Sequence, residues 1–162
     1  MTGLENVAYA ALVGLVESTW SGVTTVVREE QVGRTNWENL LANGSLTPPF
    51  VVIRLGPSPP EAWGIDNLVF RLAVTVTLVV SIADTNAALG GGGTDVTAYL
   101  LQQLGALRAA VIGYSGGAFQ LAGEHPAIDA STRSEANQVL LNLLAGLQAG
   151  EVVFGLLVGD AP

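Results

Sequence analysis

Residues 68–84 read LVFRLAVTVTLVVSIAD, the most apolar segment of the chain. A membrane-spanning helix needs about 20 mostly apolar residues. This run has 16, from Leu68 to Ala83, and Arg71 lies inside it. It is also rich in Val and Thr, whose branched side chains are stiff at χ1 and suit a pleated strand. Leu68, Phe70, Leu72, Val74, Val76, Leu78, Val80 and Ile82 alternate with Val69, Arg71, Ala73, Thr75, Thr77, Val79, Ser81 and Ala83. One set is wholly apolar and the other mixed, the period-2 pattern of a half-buried strand. The run therefore predicts one strand over about 68–83, not a membrane span.

Such a strand would extend about 53 Å at roughly 3.3 Å per residue. A globule of 162 residues has a radius of gyration of about 15 Å. The strand must bend, or something outside the chain must cover its end, which is a first indication of self-association.

The composition points the same way. The chain is 49% hydrophobic and only 12% charged, about half the usual charged fraction. That balance suits a subunit with surface buried against its own copies. The net charge is −8, with six arginines and no lysine, so no basic footprint exists for non-specific binding to nucleic acid. No cysteine is present, which excludes a disulfide framework and thiol chemistry. The opening MTGLENVAYA lacks the basic cluster of a secretory signal, so the expected product is cytosolic.

Along the chain, Leu4, Val7, Ala8, Ala11, Leu12, Leu15 and Val16 predict an amphipathic helix over 3–19. Strands are predicted at 23–29, 50–55, 118–122 and 152–158. Residues 56–64 (GPSPPEAWG) read as a turn-rich connection and 84–93 as a loop. Thr94 and Asp95 would open a second helix carrying Val96, Leu100, Leu101, Leu104, Leu107 and Val111. Val139, Leu140, Leu143, Leu144 and Leu147 suggest a third, stopped by Gly150. The order favours a single α+β domain over 1–162, with a mostly antiparallel sheet and two to three helices packed on it.

Chemical motifs are weak. Gly90–Gly93 before Thr94-Asp95 has no lysine to complete a phosphate loop, and Asp95 would repel an anion. Ser115 in GYSGG lacks the G-x-S-x-G spacing, and His125 is the only histidine. Asp84, Asp95, Glu124, Asp129 and Glu135 match no metal loop and read as caps or solvated charge. No catalytic centre, cofactor or metal is expected. Arg71, on the mixed strand face, needs an acid or water as partner.

The leading helix, the long strand, the helix DVTAYLLQQLGALRAAVIG and the distal IDASTRSEANQVLLNLLAGLQAGEVVFGLLVGD together resemble the tail terminator and tail-completion proteins of tailed bacteriophages. The ending, with AG before a closing strand and VGD, is similar to those of contractile-tailed phages. The resemblance covers most of the chain and implies a non-enzymatic virion subunit made in the host cytoplasm. It implies a homohexameric ring that caps the tail tube and meets the neck or head connector, with tube and sheath proteins as partners. DNA would pass through the lumen without specific binding.

A ring requires two different patches per subunit, and the overhanging edge of the long strand could add to a neighbouring sheet. Arg71, Thr75, Thr77, Val79 and Ser81 are the candidate interface residues. The alternatives are another head–tail adaptor or tail subunit, or a small-ligand module with an apolar pocket between sheet and helices.

Overall fold

The computed structural model describes residues 3–20, 22, 25–28, 43–56, 60–63, 68–88, 96–122, 126–130 and 146–159. Helix α1 (Gly3–Thr19) leads into strand β1 (Thr25–Arg28), then β2 (Phe50–Leu55), β3 (Pro60–Trp63) and β4 (Leu68–Ser81). Helices α2 (Ile82–Ala88) and α3 (Val96–Ile112) follow, then β5 (Gln120–Leu121), β6 (Ala127–Asp129) and β7 (Leu147–Gly159). The fold is α+β, with every strand pair in the sheet antiparallel except β1 with β2.

The long strand is central. β4 pairs with β7 from Val69↔Gly159 to Ser81↔Leu147. Its other edge is shared end to end by β2, against residues 74–79, and β3, against residues 68–70. Between them Gly56 N–H donates to Ala73 O at 2.8 Å, so β2 is prolonged along β4 by one residue toward the stretch that β3 occupies. β5 and β6 share the far edge of β7 in the same manner, with Ala122 N–H donating to Gly155 O at 3.0 Å near the break.

This arrangement corrects the expected overhang. β4 has 14 residues, about 46 Å at 3.3 Å each. β7, at 13 residues, is nearly its equal. The excess length is absorbed inside the chain by a second long strand, and no edge of β4 is left for a neighbour to extend.

The strand ends at Ser81 rather than Ala83, because Ser81 caps a helix. Its Oγ accepts the Asp84 N–H at 3.3 Å, the geometry of an N-cap serine bonding the N3 amide. Ile82 and Ala83 therefore belong to α2, where the sequence suggested strand and then loop. The S-I-A-D spelling is the Ser-x-x-acid signature of a helix start, hidden at the end of an apolar run. Residues 60–63, expected as turn, form β3, with Pro60 as the first residue of an edge strand, where a missing N–H is tolerated. Leu147, expected in a helix, opens β7, and Gly146 at φ +94° turns the chain into it. Gly150 lies within that strand rather than stopping a helix. The rest of the expected third helix, with Gly90–Gly93, Thr94, Asp95, Glu124, His125 and Glu135, lies outside the described residues.

Helices α1 and α3 pack side by side on one face of the sheet. Leu12, Leu100, Leu104 and Leu107 are fully buried there against Val51, Ile53, Val74, Val76 and Val152. Trp20 joins α1 to α3 by donating its Nε1–H to Gln103 O at 3.0 Å. Val7 and Leu101, grouped with the core by periodicity, point outward at 55% and 47% exposure. The sheet meets α3 closely at Gly150, where an added Cβ would lie 2.6 Å from Leu104 Cδ1. Gly150→Ala is expected to cost about 1–3 kcal/mol by overpacking, read as a lower denaturant midpoint. In a Leu104→Ala background the same substitution should cost less, because the clashing methyl is gone.

Candidate functional site

The sheet face turned away from α1 and α3 is built by the alternate residues of β2, β4, β7 and β6. The register lays them out in rows. Phe50, Val79 and Ala149 form the first, and Val52, Thr77, Glu151 and Asp129 the second. Arg54, Thr75, Val153 and Ala127 form the third. Ala73 and Gly155 come next, then Arg71, Leu157 and Gln120.

These rows divide the face in two. At the Ser81 end, Leu46, Phe50, Val52, Val79, Leu147 and Ala149 form a small buried cluster of their own. Leu46 reaches it after a turn in which Asn43 Oδ1 accepts the Ser45 N–H at 2.9 Å and Gly44 takes φ +80°. A cis peptide joins Pro48 to Pro49, just before β2. Beyond this cluster the face opens: Arg54, Ala73, Val153 and Ala127 are exposed.

The five candidate interface residues therefore separate. Val79 is fully buried and Thr77 4% exposed, so both are covered by the chain itself and present nothing to a neighbour. Alternation places them correctly on the mixed face, but it cannot show that half of this face carries a local cap. The Ser81 hydroxyl is engaged in capping α2. Arg71 and Thr75 are half-buried on the open part. The Arg71 guanidinium lies beside Gly155, where an added Cβ would be in ordinary contact with Arg71 Nε at 3.5 Å and in tighter contact with Ala122 Cβ at 3.2 Å. Arg54, Val153, Ala127, Glu151 and Asp129 complete the surface. Sequence reasoning missed these partners because they come from three other strands, and only the register brings them beside Thr75.

Glu151 is the electrostatically distinctive residue. Partial burial raises its carboxyl pKa above the ordinary 4.5, the neighbouring Asp129 carboxylate raises it further, and the Arg54 guanidinium offsets part of the effect. Carboxylates directly opposite on adjacent strands disfavour each other's charge. The open face thus holds two acids, Glu151 and Asp129, and two arginines, Arg54 and Arg71, around an exposed valine.

Two clefts open where β4 ends. One, of about 250 Å³, is lined by Trp20, Pro49, Leu78, Val80, Tyr99 and Gln103 among others. The other, of about 210 Å³, shares Pro49, Val80 and Tyr99 and reaches Ser81, Asp84 and Thr85. Both are open and smaller than the roughly 300–1,000 Å³ of typical ligand pockets. Ser115 is exposed in the turn after α3, where the Tyr114 ring stacks on Phe119 with centroids 4.1 Å apart. Among the described residues no group of three His, Cys, Asp or Glu could hold a metal ion. No helix among them is long and apolar enough to cross a membrane. Compared with known proteins, the chain matches no family model and no curated protein.

The raised carboxyl gives a signed pH dependence. Folded Glu151 keeps its proton to higher pH than the unfolded chain does, so the folded state binds more protons between 4.5 and the raised value. Stability from this group is therefore present below 4.5 and is lost as the pH rises through that interval. Glu151→Gln should be more stable than wild type at pH 7, and the gap between them should widen from pH 4 upward. Denaturant midpoints measured across that range check it.

Proposed function

We propose that the protein is a ring-forming structural subunit of a tailed-bacteriophage virion, a tail terminator that caps the tail tube and joins it to the neck. The observation that carries this reading is the two-sided sheet: one face is sealed by α1 and α3, and the other is capped over one half and open over the next. A subunit of a closed ring needs such a free, shaped surface, distinct from the one that meets its other neighbour. Few charges and exposed apolar side chains on both layers fit large permanent contacts. The net charge of −8 suits a ring around passing DNA, since repulsion prevents sticking. In this reading Arg71 and Thr75 meet the next copy.

Mass measurement in solution, with negative-stain imaging, tests it. Six copies of the 16.7 kDa chain give a particle of about 100 kDa with a central hole. Thr75→Glu should shift the population toward monomer by introducing a desolvated charge, with an unchanged circular dichroism spectrum. A strictly monomeric wild type that also fails to bind isolated tail tubes would overturn the assignment.

A further inference from the structure

The exposed large hydrophobic side chains among the described residues fall on two surfaces on opposite sides of the sheet. Val7, Leu101 and Ile112 lie on the helical layer, and Val153 lies on the open sheet face. On α3 three exposed residues make a line, Leu101, Arg108 and Ile112 at helical spacing with half-exposed Gly105 between, flanked by exposed Ala98, Gln102, Ala106 and Ala109. Gly105 is unusual, because a helix interior favours alanine over glycine. Nothing among the described residues requires it, since a Cβ added there meets none of their atoms within 4 Å.

The open sheet face matches this line in size and charge. From Leu101 to Ile112 the helix rises about 16 Å at 1.5 Å per residue. The four strands β2, β4, β7 and β6 span about 14 Å at their usual separation. Val153 stands among small exposed neighbours, Ala73 and Ala127, which leave a shallow bed. On one side of it the Glu151 and Asp129 carboxylates stand directly opposite each other on neighbouring strands, while the two guanidiniums of this face lie apart from that pair's row, Arg54 on β2 and Arg71 beside Gly155. A chain of net charge −8 repels its copies over most of its surface. Here the one charged residue in the α3 line, Arg108, is of the sign that this acidic spot accepts.

We infer that α3 of one copy lies across the open sheet face of a second copy, with Leu101 and Ile112 against Val153 and its alanine neighbours and Arg108 over the Glu151–Asp129 pair. This contact rests on the ring reading and specifies its partner surface. It joins unlike patches on opposite sides of the subunit, so it repeats head to tail and closes when the rotation permits. Gly105 lets the helix backbone approach the sheet, as small residues do at close helix contacts.

The test uses the full chain with Leu101→Glu and Val153→Glu, each at an exposed position, checked for folding by circular dichroism. Each alone loses one of the two patches and is expected to be unable to close a ring. Mixed in equal amounts they should form a 1:1 pair, since Val153→Glu keeps an intact helix line and Leu101→Glu an intact sheet bed. If either fails to fold, Arg108→Glu and Ala127→Glu replace them on the same surfaces. A mixture that stays monomeric, or single variants that assemble like wild type, would overturn the contact while leaving a ring-forming wild type in place. Self-pairing by Val153→Glu but not by Leu101→Glu would show helix-to-helix association and overturn the head-to-tail contact. A wild type that is monomeric and also fails to bind isolated tail tubes would overturn the ring reading itself.

Discussion

The pairing of β4 with β7 is the constraint on which the rest of the molecule depends. Their register holds from Val69↔Gly159 to Ser81↔Leu147. Because side chains alternate, this single alignment decides which residues of both strands face the helices and which face away. A slip of β7 by one position against β4 would turn Val152 and Phe154 out of the core and bring Glu151 and Val153 into it. The shorter strands β2, β3, β5 and β6 attach to the outer edges of this pair, and their register is set by it. The open face exists because the ladder is longer than the local cap formed around Phe50 and Val79.

The legible parts of the fold were those with uninterrupted periodicity. β2 and α1 begin and end where their residue patterns do, and the alternation of residues 68–81 was unambiguous. β7 was harder. Val152, Phe154, Leu156 and Val158 face the helices while Leu147 and Ala149 are buried on the opposite face, Gly150 and Gly155 interrupt the strand pattern, and Leu143, Leu144 and Leu147 continue an apparent helical one. The glycines are there for packing. Gly150 makes room for Leu104, and Gly155 for the close approach of Ala122. Local sequence records the absence of a side chain but not what occupies its space.

The candidate surface was only half legible for a related reason. Parity placed Arg71, Thr75, Thr77 and Val79 on the same face, and they do share it. Burial on that face depends on Leu46, Leu147 and Phe50, contributed by distant segments. Val7 and Leu101 were misleading in the opposite sense. Both match the apolar period of a core-facing helix, yet each stands one position off the buried stripe. An apolar residue adjacent to such a stripe reads the same whether it meets its own sheet or another molecule.

The length of sequence enclosed by the central ladder has a kinetic meaning. Val69 finds its partner only at Gly159, and the nearest pair, Ser81 with Leu147, still encloses α2, α3 and both outer strands. Closing so large a loop costs entropy before any of its contacts return it, and chains dominated by distant pairings fold slowly. β4 can pair early with β2, which lies close to it along the chain, whereas β7 arrives last. Until it does, the long apolar edge of β4 remains a template for any other strand, including the β7 of a neighbouring copy. Exchange of β7 between newly made chains is then the characteristic error of this topology, and it would compete with folding as the chain concentration rises.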